Sequence, residues 1–305
     1  MSGLLEAPSG PRVLRELLAG DDLVVAPGAF DALSARLIEE AGFPAVYMTG
    51  FGTAASLLGR PDIGLLSGTE MIDNARRIAG CVGVPVIADA DTGYGNAVNV
   101  IRTVRDYERA GVAGIHIEDQ VMPKRCGHLT GKVLVPADEM ASKIRAAVAA
   151  RTDPDFVVIA RTDARAVEGL DAALRRAAHY LECGADVLFV EAPENDDEIE
   201  TVARHFTGVP LLFNWAEGGR TPPVSLERLR QLGFRIVIFP IGALLSAATS
   251  MRSFLTSLRR DGTSASGLGD LPTIPEFVES LGMAEVLELQ SRFGDQPTTR
   301  GEAHG

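Results

Sequence analysis

The chain holds 305 residues, 46% hydrophobic and 23% charged, with a formal net charge of −12. That acidity, with no basic cluster longer than a few residues, argues against nucleic acid as a partner but leaves room for a small anion met by a local Arg or Lys. No apolar run reaches the roughly 18 residues of a membrane span, and residues 1–12 carry no apolar signal core, so a cytoplasmic protein with no membrane contact is expected. Cys81, Cys126 and Cys183 are odd in number and far apart, with no Cys-x-x-Cys, which fits free thiols in a reducing compartment.

From residue 23 onward, short apolar runs alternate with amphipathic stretches. A strand at 23–26 precedes a helix at 32–41, a strand at 45–48 a helix at 69–80, and a strand at 84–88 a helix at 97–110. The pattern continues with strand 112–117 and helix 137–149, strand 156–160 and helix 170–183, then strand 187–190 and helix 195–205. Strand 210–213 with helix 226–232, and strand 235–239 with helix 244–258, complete it. Gly42, Gly111, Gly184 and Gly233 punctuate the junctions, as helix ends require.

Strands separated by helices predict a parallel sheet, and eight is the number that closes a (β/α)8 TIM-type barrel. A doubly wound open sheet is the alternative. Its Gly-rich fingerprint is missing, since Ala26-Pro27-Gly28-Ala29-Phe30-Asp31 is not Gly-x-Gly-x-x-Gly. Residues 1–262 are read as the catalytic barrel, and 263–305 as a linker with a C-terminal oligomerisation helix at 276–293. A helix on a linker suits exchange between subunits. The last residues, 294–305, are polar and expected to fray.

In a barrel, catalytic groups collect where strands end. Strand two ends in Tyr47-Met48-Thr49-Gly50, strand three in Asp89-Ala90-Asp91, and strand four in Glu118-Asp119. Strand five ends in Arg161-Thr162-Asp163, strand six in Glu191 and strand seven in Asn214. Asp89, Asp91 and Glu118 form a hard-oxygen set suited to Mg²⁺, with Mn²⁺ as a substitute and some of the three acting through water. Arg161 offers a planar fork for a carboxylate, unless Asp163 or Asp89 claims it. Pro123-Lys124-Arg125-Cys126-Gly127-His128 puts a thiol and an imidazole beside two cations. The nineteen residues 118–136 show no strand or helix pattern and read as a lid that closes over substrate and delivers Cys126, with Gly127 and Gly131 as hinges and Asp62 as an anchor. His116 and Trp215 read as core residues, while Phe51, Phe189, Trp215 and Ile241 are the positions where pocket size would be set.

Taken together, Lys124-Arg125-Cys126-Gly127-His128, Asp89-Ala90-Asp91-Thr92-Gly93-Tyr94-Gly95, Glu118-Asp119-Gln120 and Ala160-Arg161-Thr162-Asp163-Ala164 resemble the isocitrate lyase / phosphoenolpyruvate mutase superfamily. The likeness spans about residues 10 to 295 and is nearest to the dimethylmalate lyase, methylisocitrate lyase and carboxyvinyl-carboxyphosphonate phosphorylmutase-like members. It implies a (β/α)8 barrel, Mg²⁺, a gated Cys loop, and homotetramers with a C-terminal helix exchanged between subunits. It further implies a carbon–carbon lyase that splits the C2–C3 bond of a 2-hydroxy di- or tricarboxylate, of the 2-alkylmalate or methylisocitrate type, to pyruvate and a carboxylate.

In such a reaction Tyr47 is expected to remove the hydroxyl proton and Cys126 to protonate the carbanion. Arg161 with the Thr49 and Gly50 backbone would hold the pyruvyl end, and His128, Gly127, Glu191 and Asn214 the leaving carboxylate. Phosphonate carbon–phosphorus chemistry is the rival enzyme reading. A catalytically inactive binding barrel is the third.

Overall fold

The computed structural model describes residues 4–5, 10–127 and 129–294. Its strands are β1 (Val24–Ala29), β2 (Val46–Met48), β3 (Val86–Asp89), β4 (Gly114–Glu118), β5 (Val157–Thr162), β6 (Val187–Val190), β7 (Leu212–Asn214) and β8 (Ile236–Phe239). All pairings between them are parallel, in the order β6-β5-β4-β3-β2-β1-β8-β7. The two ends of that row meet at one parallel bridge, Leu188 to Leu211, where the Leu188 N–H donates to the Pro210 carbonyl at 3.1 Å. The ring is the (β/α)8 barrel that the alternation predicts.

The strands are apolar on both faces because both faces are covered. β5 is buried along its whole length. Side chains pointing to the barrel axis, among them Val24, Ile87, Val157, Ile159, Phe189 and Ile236, form one cluster. Those pointing outward, such as Met48, Ala88, Val158 and Leu188, pack under the helices in a second. The helices begin where side chains can satisfy their first amides. Asp31, Ser67 and Asn96 each close a reciprocal capping box. Gly111 ends the helix Ala97–Ala110 at φ +89, a left-handed turn that a residue with a Cβ adopts at a cost.

Three of the described helices lie outside the sequence reading: the single turn Arg165–Glu168 after β5, and two longer ones. Pro11–Ala19 places Leu14 and Leu18 into the axial cluster and pins itself through Arg15, which donates to Asp155 and Phe156 carbonyls and pairs with Asp186 at 2.8 Å. Those partners directly precede β5 and β6, so the helix plugs the end of the barrel where strands begin. Gly50–Leu58 follows β2 directly and is capped by Thr49.

The lid stretch also differs from expectation, because its two limbs pair. Gln120 bridges antiparallel to Leu134, the Val121 N–H donates to the Val133 carbonyl at 2.8 Å, and Val135 N–H to the Asp119 carbonyl at 2.9 Å. After β8 a helix runs from Gly242 to Asp261, and a 3-10 turn, Ala265–Asp270, occupies the stretch read as a linker. The single helix expected at 276–293 is two, Ile274–Ser280 and Met283–Phe293, broken at Gly282 with φ +90. Residues 295–305 of the expected frayed tail lie outside the described residues. No described helix is long and apolar enough to cross a membrane.

If the first helix seals the barrel, Leu14→Ala should cost ~2–5 kcal/mol in urea unfolding, as a buried Leu truncation does. A midpoint equal to that of the unaltered chain would show that the plug carries no load.

Candidate active site

Strand periodicity positions the site. Successive residues alternate faces, so a residue two beyond an axial one points to the axis again. Ile87 is axial, and Asp89 follows it on β3. By the same step Ile159 leads to Arg161 and then Asp163, Phe189 to Glu191, and Leu212 to Asn214. On β4, His116 and Glu118 share that face, and Tyr47 joins them from β2. Six strands thus send polar groups to one mouth.

A cavity of about 170 Å³ opens there. Tyr47, Thr49, Asp89, Glu118, Cys126, Gly127, Arg161 and Asn214 line it, so most of the expected site residues meet. Phe51 and Ile241 also line it, whereas Phe189 and Trp215 do not. Phe189 lies beneath the site, its ring 5.0 Å from the Arg161 guanidinium carbon. Trp215 stacks on Phe239 and donates its Nε1–H to the Val224 carbonyl at 2.9 Å. Gly50 backs the site, because a Cβ there would run into the Asp89 carboxylate. Glu191 sits behind the wall, accepting from Asn214 Nδ2 at 3.2 Å and lying 3.5 Å from Arg161 Nη1. His128 lies outside the described residues.

The acidic trio is less closed than expected. Among the described residues, no three His, Cys, Asp or Glu side chains converge tightly enough to hold an ion by themselves. Asp89 and Glu118 face the cavity, but Asp91 does not line it and instead lies 2.8 Å from Lys124 Nζ. Lys124 also reaches Asp62 at 2.6 Å, so Asp62 does anchor the lid limb. The site still fits Mg²⁺, which takes few carboxylates and completes its shell with water and substrate oxygens. Glu118 Oε1 is buried with no hydrogen-bond partner, and Asp91 Oδ1 has only the Lys124 charge beside it, without an aligned hydrogen bond. Burial pushes Glu118 well above the ordinary carboxylate range and Asp91 up to about 6. Burial works the same way on Asp89, but His116, Lys124 and Arg161 outweigh it and hold Asp89 below its ordinary value. Asp91 adopts φ +46, in the left-handed region, with its N–H donating to Asp89 Oδ1 at 2.9 Å.

Arg161 is anchored by Asp163, the nearer of the two alternatives. Its Nε donates to Asp163 Oδ2 at 2.9 Å and its Nη2 to Oδ1 at 3.1 Å. Burial opposes its charge, and Asp163, Glu191 and Glu118 more than restore it, so the guanidinium stays protonated.

Tyr47 is held in its protonated form in this structure. Burial, reinforced by the Asp89 charge, holds its phenol well above the ordinary value, so it keeps its proton. Its Oη lies 2.9 Å from His116 Nε2. Burial lowers His116 to about 4, which leaves a neutral ring whose Nδ1 is buried without a partner. An orphaned N–H is rarer than an orphaned acceptor, so the proton belongs on Nε2. His116 then donates to Tyr47, and the phenol O–H is free to donate into the cavity. Protonated, Tyr47 presents a hydrogen-bond donor to the cavity, and His116 buttresses it through that hydrogen bond.

A family model described as phosphoenolpyruvate phosphomutase matches residues 14–259. The chain belongs to that family. It is 49% identical over 280 residues to 2,3-dimethylmalate lyase of Eubacterium barkeri, covering 92% of this chain and 96% of that one. It is 45% identical to a 2-methylisocitrate lyase of Aeropyrum pernix, over 88% of this chain and 86% of the relative. A crystal structure of 2,3-dimethylmalate lyase superposes with a TM-score of 0.91 at 42% identity, covering 98% of this chain and 100% of the other. The family matches the resemblance read from the lid and strand-end motifs.

Gly127 marks how tightly the lid seats. A Cβ there would lie 2.5 Å from Arg161 Nη2 and 2.6 Å from the Glu191 carboxyl carbon, both buried and paired. Gly127→Ala should therefore lift the loop, speeding limited proteolysis within 121–135 by about tenfold while the thermal midpoint barely moves. Equal cleavage rates would mean that the loop does not seat there in solution.

Proposed function

We propose that this chain is a Mg²⁺-dependent carbon–carbon lyase, with Mn²⁺ as a substitute, that splits the C2–C3 bond of a 2-alkylmalate to pyruvate and a monocarboxylate. The observation that carries the reading is one small cavity lined together by Cys126, Arg161, Tyr47, Asp89 and Glu118. Retro-aldol cleavage needs those groups: an anion clamp, oxygen ligands for a cation, and an acid for the carbanion. The relatives named as lyases support it.

Size and charge favour a dicarboxylate. Arg161 and Lys124 are the Lys and Arg side chains lining the cavity among the described residues, and Lys124 is already committed to Asp62 and Asp91. Phe51, Leu129, Ala216, Pro240 and Ile241 give the cavity an apolar share that suits an alkyl group, and the acidic Glu217 also lines it, which opposes a further substrate carboxylate. That disfavours methylisocitrate.

When bound, the divalent cation supplies charge that acidifies the substrate's 2-hydroxyl. Asp89 and Glu118 would hold it, with Asp91 behind them. Arg161, fixed by Asp163, orients the pyruvyl carboxylate, and the Tyr47 O–H donates to a substrate oxygen beside it. The 2-hydroxyl proton leaves through cavity water to solvent as C2–C3 breaks, which turns the hydroxyl carbon into the ketone of pyruvate and leaves an electron pair on C3, spread into the neighbouring carboxylate. Cys126 Sγ–H gives its proton to C3, and solvent later returns a proton to the Cys126 thiolate. Asn214 and Glu191, with Gly127 above them, border the place of the leaving carboxylate.

The test is pyruvate release from 2-methylmalate, 2,3-dimethylmalate, methylisocitrate and phosphonopyruvate with and without Mg²⁺. The substituted malates should react, chelation should stop the reaction, and Cys126→Ser should lower kcat by about 10²-fold or more. Phosphate release from phosphonopyruvate in place of pyruvate release from malates would favour the rival chemistry, and an undiminished Cys126→Ser kcat would refute the acid role.

The same proposal includes a homotetramer with exchanged C-terminal helices. None of the residues of the helix Gly242–Asp261 is buried, although it carries Met251, Phe254, Leu255 and Leu258. Beside its first turns lies an apolar groove of about 730 Å³, walled by Phe30, Leu33, Leu37, Phe43 and Phe239. The helix pair after residue 273 exposes Ile274, Phe277 and Leu287 in turn. A second copy's helix would cover these faces together. Sedimentation of the unaltered chain should show the tetramer, and Leu37→Glu should shift it to smaller species; an unaltered chain that sediments as a monomer would end the idea. Three cysteines without a disulfide suit the cytoplasm.

A further inference from the structure

The lid meets the barrel through two buried lysines, Lys124 on one limb and Lys132 on the other. Lys124 closes on the carboxylates beside the cation site. Lys132 does something separate. Its Nζ donates to the Gly127 carbonyl, five residues back along the same loop, and to Asp163 Oδ1 at 2.8 Å. Asp163 belongs to the barrel rather than to the lid. Its N–H donates to Asp119 Oδ1 at 2.9 Å, and its oxygens receive Arg161 at 2.9 and 3.1 Å.

We propose that Lys132 is a positioning residue, a latch that seats Cys126 over the cavity by tying the adjoining Gly127 carbonyl to the carboxylate that already orients Arg161. It rests on the reading that Cys126 acts in this cavity. Gly127 is the next residue after Cys126, so fixing its carbonyl fixes the peptide that carries the thiol. Oδ1 of Asp163 is shared, taking Lys132 and Arg161 Nη2 together. One carboxylate thereby sets the place of the proton donor and the orientation of the anion clamp. Only a long donor with several hydrogens reaches both acceptors. Removing the ammonium leaves a buried loop carbonyl without a donor and Asp163 with one cation fewer, and both effects open the loop.

The experiment compares the full chain with Lys132→Met, Lys132→Arg, Asp163→Asn and the Lys132→Met/Asp163→Asn double variant. Iodoacetamide labelling of Cys126 is followed by peptide mass spectrometry, with Cys81 and Cys183 as internal references. Lys132→Met should speed labelling of Cys126 alone by about tenfold, the scale of one lost charged hydrogen bond. Lys132→Arg should recover most of the protection. Asp163→Asn should match Lys132→Met, with no further gain in the double variant. In the pyruvate assay kcat should fall more than KM rises. If Lys132→Met does not fold, Lys132→Gln and hydrogen exchange of residues 121–135 take its place, with faster exchange expected. Unchanged Cys126 labelling in folded Lys132 and Asp163 variants overturns the latch. Labelling needs no turnover, so a chain that forms no pyruvate yet shows the tenfold change keeps the latch and loses the proposed reaction.

Discussion

Buried carboxylates at one end of the barrel outnumber the cations that neutralise them, and the rest of the site follows from that imbalance. Asp62, Asp89, Asp91, Glu118, Asp119, Asp163 and Glu191 are all buried, with Arg161, Lys124 and Lys132 set among them. Moving a charge out of water costs several kcal/mol unless a partner stands close. Two of the three cations are accordingly shared between carboxylates. Arg161 touches Glu118, Asp163 and Glu191; Lys124 touches Asp62 and Asp91; Lys132 touches Asp163. Glu118 and Asp91 remain undersupplied, and burial drives their carboxyls toward the protonated form. A hard divalent cation would answer the deficit that no side chain does.

The same sharing divides the labour between barrel and loop. Two of the cations are on the loop, so the rim carboxylates reach their full neutralisation only with the loop in place. Asp119 shows how the barrel side is kept rigid. Pointing outward rather than to the axis, it accepts from Thr162 Oγ1 at 2.7 Å, the Asp163 N–H at 2.9 Å and Tyr180 Oη at 2.9 Å. It ties the end of β5, the base of the lid and the helix Leu170–Glu182 into one unit. Asp163 can accept from the loop because its own position is settled from behind.

Much of this was legible in the chain. Reading where the strands end gathers Asp89, Glu118, Arg161, Glu191 and Asn214 at one rim, but because the strands are apolar on both faces, alternation alone does not tell which of them face the axis. What stayed hidden was pairing across long separations. Nothing local in the sequence links Lys132 to Asp163, thirty-one residues away, or Tyr47 to His116, sixty-nine away. His116 reads as core because it is core by burial; its hydrogen bond to Tyr47 is what links it to the cavity. The two longer missed helices failed for different reasons. Gly50–Leu58 begins Gly-Phe-Gly-Thr and has buried residues along its first turns, so it shows little of the two-faced pattern that betrays a surface helix. Pro11–Ala19 has the pattern, but only two of its residues, Leu14 and Leu18, reach the core. At the other end, Gly282 interrupts a periodicity that reads as continuous.

Glycine at 127 fits the same physics. The peptide after the thiol must lie against Arg161 and Glu191, and a Cβ there would come within 2.5 Å of the guanidinium and 2.6 Å of the carboxyl carbon. Close approach places the Gly127 carbonyl where Lys132 reaches it and its neighbour's sulfur where the cavity begins. A larger residue would keep the charge balance and lose the geometry. A neutral residue at 132 would keep the geometry within reach and lose the force that holds it. The thiol's position is therefore fixed jointly, by the absence of one side chain and the presence of another five residues away, and neither alone suffices.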